Sequence, residues 1–261
     1  MTLLVKLANT LAQKLHRLWI HPALSAQQPC PILGSDRSRA RRLALRHMTK
    51  VLCSFGLGPH AQLLETSGET FRVYAERHGY ALDLRTEVPV SGRTIPWDKI
   101  TFILDQLTRH DVVFWIDADA AIVDTSVDIA EVLGRRDLMG LVAHSTPEGS
   151  SVPNTGVWVL RAHRQTRRFL EDIWRSKKYL EHKWEENAAL MDLLGYDVGP
   201  PVEFRRATRV GRRTKLLPLE WNSIPIDAAP RPRIVHFPAA PFAERLEGLT
   251  VAAAALRASD S

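Results

Sequence analysis

Cysteine is nearly absent from this chain: Cys30 and Cys53 are the only two among 261 residues. Neither stands in a Cys-x-x-Cys or Cys/His ligand spacing, so the pattern offers no zinc ribbon and no thiol redox motif. A disulfide between the two is open but has no support, and low cysteine content fits a reducing compartment. Long apolar runs are missing too. No window of about 18 continuous apolar residues exists, so no membrane-spanning helix is expected. Lys6, Asn9 and Gln13 interrupt the N-terminal apolar stretch, which removes the signature of a signal peptide. No internal repeat is visible.

Acids are scarce at the start of the chain. Residues 1–50 hold nine Lys/Arg and one acid, Asp36, for a net +8, whereas the remainder is −2. The basic character therefore belongs to the N-terminal segment, as a solvated flank or as an arm that meets phosphates or an anionic surface. What is present is otherwise ordinary for a globular protein. Apolar residues make up 45% and charged residues 25%, which argues against wholesale disorder. The length suffices to bury a core.

Residues 3–20 read as an amphipathic helix, with Leu4, Leu7, Leu11, Leu15 and Leu18 at three- and four-residue steps. Such a helix docks on the main domain or lies on a membrane surface. Residues 21–35 read as a Pro- and Gln-rich linker, and 36–48 as a basic segment. Strands are expected at Val51–Phe55, Tyr80–Leu84, Val112–Ile116, Leu138–Val142, Val157–Leu160 and Ile234–Phe237. Helices are expected from about Ala61 to His78, Trp97 to Thr108, Arg164 to Ser176 and Glu185 to Leu194. Gly79 would close the first of these helices. Arg205–Lys215, with six bases and no acid, reads as a mobile loop. Residues 251–261 read as a helical, then frayed, C-terminal tail. The strand–helix alternation predicts an α/β fold with a central, mostly parallel sheet flanked by helices. The expected division is 1–48 as N-terminal helix, linker and basic segment, 49–250 as catalytic domain, and 251–261 as tail.

In such sheets ligands collect beyond the carboxyl ends of the strands. The apolar run Val112–Ile116 ends there in Asp117-Ala118-Asp119. Two carboxylates one residue apart, where the chain turns, can converge on one hard divalent cation such as Mn²⁺ or Mg²⁺. That cation would bridge the phosphates of a nucleotide-sugar. His236, at another strand end, is a candidate third ligand. Asn154 and Gly156 precede the strand Val157–Leu160, where an amide can meet sugar hydroxyls and glycine lets backbone come close. Trp184, Glu185, Glu186 and Asn187 open a helix and could place a carboxylate on a sugar's reacting face. Lys99 could reach a phosphate as a point charge.

These pieces resemble the galactosyltransferase, mannosyltransferase and xylosyltransferase family numbered thirty-four among the glycosyltransferases, which has the GT-A fold. The matching segments stand in the family's order: YAERHGY (Tyr74–Tyr80), WDKI (Trp97–Ile100), WIDADAAI (Trp115–Ile122), NTGVWVLR (Asn154–Arg161), FLEDIW (Phe169–Trp174), WEENAAL (Trp184–Leu190) and IVHFPA (Ile234–Ala239). The resemblance implies a retaining transferase that makes α-linkages from a UDP- or GDP-sugar to a glycan or glycolipid acceptor. It implies Asp117, Asp119 and His236 on the metal, and Lys99 at the diphosphate. Ser54, Phe55 and Tyr74 would flank the nucleotide, and Asn154 and Gly156 the sugar. Where the family reads Glu-Gln-Asp, this chain reads Glu186-Asn187-Ala188, which leaves Glu186 as the carboxylate. Family members of secretory compartments usually carry an N-terminal anchor. Its lack here points to a cytoplasmic enzyme, with peripheral membrane contact through residues 1–50 as one reading.

Two other readings compete. A haloacid-dehalogenase-type phosphohydrolase also follows a strand with Asp-x-Asp. Its motif normally lies near the domain start and has Thr or Val where this chain has Ala121. A non-enzymatic module could bind nucleic acid or an anionic surface through 37–50 and 205–215. No recognition helix or RNA-binding signature accompanies those bases, so specific nucleic-acid binding is not expected.

Overall fold

A computed structural model describes residues 48–146 and 149–259. The expected N-terminal helix, linker and most of the basic segment lie outside the described residues. Chain order from Thr49 is β1 (Lys50–Phe55), α1 (His60–His78), β2 (Ala81–Arg85), α2 (Ile95–Arg109), β3 (Val112–Ile116), β4 (Ala120–Ile122), α3 (Ile129–Val132), β5 (Met139–Ser145) and β6 (Ser151–Arg161). Then follow α4 (Arg164–Arg175), α5 (Glu185–Leu194), β7 (Tyr196–Asp197), β8 (Glu203–Phe204), β9 (Thr214–Leu217), β10 (Ile234–His236) and α6 (Phe242–Ser259).

The main sheet runs in the order β2-β1-β3-β6-β5-β9. β1 pairs parallel with β2 and β3, β5 pairs parallel with β9, and β6 is antiparallel to both its neighbours. All strands but β6 therefore point the same way, and their carboxyl ends form one edge. Helices cover both faces, so β3 is buried along its whole length, and a continuous apolar run suits such a strand. Val51, Cys53, Phe55, Val113 and Trp115 face one core layer with α2, α4 and α5. Alternate residues face the other side, where Phe114 packs edge-on to Tyr74 of α1. Cys53 is a free thiol, fully enclosed, and burial pushes its pKa up.

Several local expectations are met for the reasons given. Gly79 closes α1 in the left-handed region at φ 67, as a glycine can without strain. Helix α2 starts two residues before Trp97, because Pro96 suits a first helical turn.

Others are corrected. Asn154 and Gly156 do not precede a strand; they lie inside β6, which extends back to Ser151 and carries an irregularity opposite Leu141/Val142. The stretch 205–215 is not a free loop. Its end begins the edge strand β9, and several of its bases are engaged in structure. Lys215 donates to Val132 O at 2.6 Å, Arg213 to Arg136 O at 2.8 Å, and Arg205 pairs with Asp197. Residues 251–259 are helical as expected, as the second half of α6, which begins at Phe242, with Ala252, Ala253 and Leu256 buried.

Candidate active site

The site is built where β3 ends. Backbone N–H of Asp117 donates to Gly156 O at 2.7 Å, and Ala120 N–H donates to Asp117 O at 3.1 Å. These bonds fold Asp117-Ala118-Asp119 into a tight turn between β3 and β4, tied to β6. Strand β4 is three small or aliphatic residues, fully buried, and Ile122 N–H is received by Thr70 Oγ1 of α1 at 3.0 Å.

Antiparallel pairing with β10 then places His236 opposite Ala120. Arg233 locks that pairing. Its guanidinium spans Asp124 at 2.7 Å and Glu220 at 2.9 Å, and its carbonyl accepts from Val123 and Asp124.

Ligating atoms of Asp117, Asp119 and His236 consequently lie within 4.8 Å of one another. The surrounding bonds decide how each atom is presented. Asn154 Oδ1 accepts from Gly156 N–H at 2.8 Å and from Asn222 Nδ2 at 2.9 Å. Asn222 must then turn its oxygen toward His236 Nδ1, 2.9 Å away, so that Nδ1 carries the proton. His236 Nε2 is left facing Asp119 Oδ1 at 3.2 Å. A neutral imidazole nitrogen and a carboxylate oxygen are both acceptors, and they need a proton or a cation between them. A histidine oriented through its second nitrogen, beside two hard carboxylates, fits a divalent cation.

The two carboxylates are held differently. Asp117 Oδ1 receives Trp115 Nε1 at 2.7 Å and Lys99 Nζ at 3.0 Å, which leaves Oδ2 free of these donors. Asp119 Oδ2 receives Arg245 Nη1 of α6 at 3.1 Å. Burial pushes the Asp119 carboxyl up, but His236 and Arg245 outweigh it and hold it below the usual range.

Lys99 is almost wholly buried, which by itself would lower its pKa. The Asp117 and Glu186 carboxylates outweigh that and hold the ammonium charged. Glu186, pushed up by burial, pairs with Lys99 at 3.3 Å and accepts from Thr155 Oγ1 at 3.1 Å.

A cavity of about 560 Å³ opens over this cluster. Phe55, Trp115, Lys99, Asp117, Asp119 and Arg245 line it, along with the segment Arg93–Pro96.

Measured against the sequence reading, the structure brings Asp117, Asp119, His236, Lys99 and Phe55 together. Tyr74 is a correction. It is fully buried, and its hydroxyl donates to Val127 O at 3.2 Å and accepts from Ile129 N–H at 2.7 Å, so it builds the core and not a nucleotide wall. Ser54 is equally enclosed and has no surface to offer a nucleotide. Glu186 does not face the cavity; it sits behind Lys99 and acts through it.

Gly156 does permit a close approach, but of His236. A Cβ there would collide with the imidazole and with Asn154 Oδ1. Asn154 has its amide oxygen engaged in orienting Asn222. Trp184, Glu185 and Asn187 do not line the cavity. Trp184 packs on the core edge under Lys183, and Asn187 donates to Pro153 O at 2.9 Å. Glu185 holds a left-handed backbone at φ 44, an uncommon conformation for a residue with a side chain.

Arg245, Asn222 and His60 were absent from the sequence reading and lie in no motif, and Thr155, inside NTGVWVLR, was given no role there. Each gains its place through pairing with residues distant in the chain.

Comparison with known proteins places this geometry. Residues 57–147 match the galactosyl transferase GMA12/MNN10 family, a segment that contains Lys99, Asp117 and Asp119. No curated protein sequence matches the chain. Among solved structures, it is similar to a glycosyltransferase involved in the glycosylation of the major capsid of PBCV-1. The TM-score is 0.60 at 18% identity, over 77% of this chain and 98% of that one. It is also similar to the galactosyltransferase LgtC in complex with donor and acceptor sugar analogs, with a TM-score of 0.52 at 13% identity, over 80% of this chain and 96% of that one. Likeness at such identity speaks to the fold, which is the GT-A fold. The family match around the two aspartates and the shared GT-A fold together identify the chain as a glycosyltransferase.

Proposed function

We propose that this glycosyltransferase is metal-dependent and retaining, and that it moves a sugar from a UDP- or GDP-sugar to a glycan or glycolipid acceptor. The observation that carries the reading is the convergence of Asp117, Asp119 and His236, with both aspartates and Arg245 lining one cavity. Mn²⁺ or Mg²⁺ held by the two aspartates and His236 would supply charge neutralisation to the donor diphosphate.

The chain's own residues do the rest. Lys99, anchored by Glu186 and Thr155, fixes the rotamer of Asp117. Asn222 fixes that of His236. Arg245 reaches Asp119 from α6 and is placed to donate to phosphate oxygens, where a guanidinium fork matches the geometry. Phe55 and Trp115, edge-to-face with ring centroids 5.1 Å apart, give the cavity an apolar floor. The acceptor hydroxyl attacks the anomeric carbon on the face from which the diphosphate leaves. The bond from carbon to phosphate oxygen breaks as the new glycosidic bond forms, and the departing phosphate oxygen takes the hydroxyl proton. This route asks for no strong protein base, consistent with Glu186 being enclosed.

Thermal shift of the full chain with UDP, GDP and their sugar conjugates, each with and without Mn²⁺, tests the donor site. Metal-dependent stabilisation by one nucleotide, lost in Asp119→Ala, is expected. If no nucleoside diphosphate stabilises the protein, the reading fails. The anomeric configuration of the product, read by NMR, tests retention.

No helix among the described residues is long and apolar enough to cross a membrane. The basic segment 1–50 is read as a contact with an anionic membrane surface from the cytoplasmic side. Flotation with anionic liposomes that is equal for the full chain and for one starting at Thr49 would remove that idea.

A further inference from the structure

Three cationic side chains line the cavity, and they differ in how their charge is met. Lys99 is paired with Asp117 and Glu186, and Arg245 with Asp119. Arg93 is the third. No carboxylate among the described residues pairs with it. Its Nη1 donates to Trp174 O at 2.6 Å, and its guanidinium lies 4.0 Å from the Trp174 ring centroid and 5.0 Å from that of Trp97. These contacts hold the group in place without neutralising it. A guanidinium has five N–H donors, and the Trp174 carbonyl uses one. A fork already held against two rings loses less conformational freedom when it binds, and it matches the two oxygens of a carboxylate or phosphate.

The donor diphosphate has its own partners in the aspartate cluster and Arg245, which enters from α6. Arg93 enters instead from the end of the segment between β2 and α2, beside Thr94 and the first residues of α2, Ile95 and Pro96, which also line the cavity. Its charge is left for a different anion.

We propose that Arg93 is a specificity-determining residue that reads an acidic group, a carboxylate or a phosphate ester, on the sugar substrate bound beside the donor diphosphate. This rests on the glycosyltransferase reading above and adds the class of substrate. The enzyme acts on acidic or phosphorylated sugars rather than on neutral ones.

The test uses the full chain with Mn²⁺ and UDP, and in parallel with GDP. Methyl glucoside, methyl glucuronide and glucose 6-phosphate are titrated as probes by calorimetry, in the wild type and in Arg93→Gln and Arg93→Lys. One acidic probe is expected to bind the wild-type complex at least about tenfold tighter than methyl glucoside, the scale of one charge-assisted hydrogen bond. Whichever acidic probe wins separates carboxylate from phosphate. Arg93→Gln brings the acidic and neutral probes within about twofold of each other, and Arg93→Lys keeps part of the preference. Nucleotide affinity stays unchanged in all three proteins, which also shows that the variants are folded.

The proposal is overturned if the wild type shows no preference for an acidic probe. It is equally overturned if Arg93→Gln loses nucleotide affinity together with the preference, because Arg93 would then serve the diphosphate or the fold. Failure of both nucleotides to bind the wild type sinks the underlying reading, and this proposal with it.

Discussion

Asn222 Oδ1 accepts the Nδ1 proton of His236 at 2.9 Å, and this bond sets which nitrogen of the imidazole faces Asp119. Asn222 is fully buried and is itself oriented by Asn154, so the tautomer of His236 is fixed by residues outside the Asp117–Asp119–His236 cluster. Removing the acceptor frees the ring to rotate and to protonate either nitrogen. Asn222→Ala is expected to weaken Mn²⁺ binding by about 10–100-fold, the usual effect of losing a partner behind a metal-bound histidine. Asn222→Asp, which keeps an oxygen toward Nδ1, recovers much of it. Titration calorimetry with Mn²⁺ alone reads both.

Gly156→Ala tests the same arrangement from the other side. The added methyl meets the His236 ring and the Asn154 amide, both already held by hydrogen bonds to Asn222. Stability is expected to fall by about 1–3 kcal/mol, typical of overpacking a filled interior. Mn²⁺-dependent stabilisation should disappear as His236 is displaced. Urea unfolding with and without the metal separates the two effects.

Arg245 sits 3.1 Å from Asp119 Oδ2, on the same carboxylate whose Oδ1 faces His236. Its charge opposes a bare cation and favours a diphosphate. Arg245→Ala should therefore leave Mn²⁺ affinity unchanged or tighter. It should weaken UDP or GDP binding in the presence of Mn²⁺ by about tenfold or more, the scale of one hydrogen bond from a charged donor. Equal loss of both affinities would show that the residue only supports the turn.

The pH dependence of stability has a contributor away from the site. Hydrogen bonding from Arg85, reinforced by Gln106, holds the Asp83 carboxyl below its ordinary range against an opposing burial effect. A carboxylate with a depressed native pKa stabilises the fold above its unfolded value of about 3.9, and the contribution fades as pH falls through the native value. Asp83→Asn should be less stable than the wild type at pH 7. The difference should shrink below about pH 4, as both forms become uncharged. Denaturant midpoints at pH 7 and pH 3 check the sign.

How much of this was legible beforehand varies with the range of the interactions. Val112–Ile116 announced itself, because a strand buried on both faces must be apolar at every position. Asp117-Ala118-Asp119 at its end could then be placed on the ligand-binding edge. The length of β6 was missed. Its first half carries Pro153, Asn154 and Gly156, residues that signal turns, yet pairing with β5 draws them into the sheet. The bases of 205–215 looked like a free loop because charge runs usually face water. Here backbone carbonyls and one carboxylate receive several of them.

The sequence by itself determined the α/β alternation, the edge where chemistry collects, and the aspartate pair, since each follows from local periodicity and from the carboxyl end of one strand. Tertiary structure alone decided the rest of the site. Arg245 meets Asp119 across 126 positions, Lys99 meets Thr155 across 56, and Asn222 bonds Asn154 across 68. Whether Glu186 faces the cavity or backs Lys99, and whether Tyr74 meets ligand or core, depends on the register in which β4 finds β10 and α1 packs on the sheet. That register is set by the simultaneous burial of many side chains, so no single segment contains it.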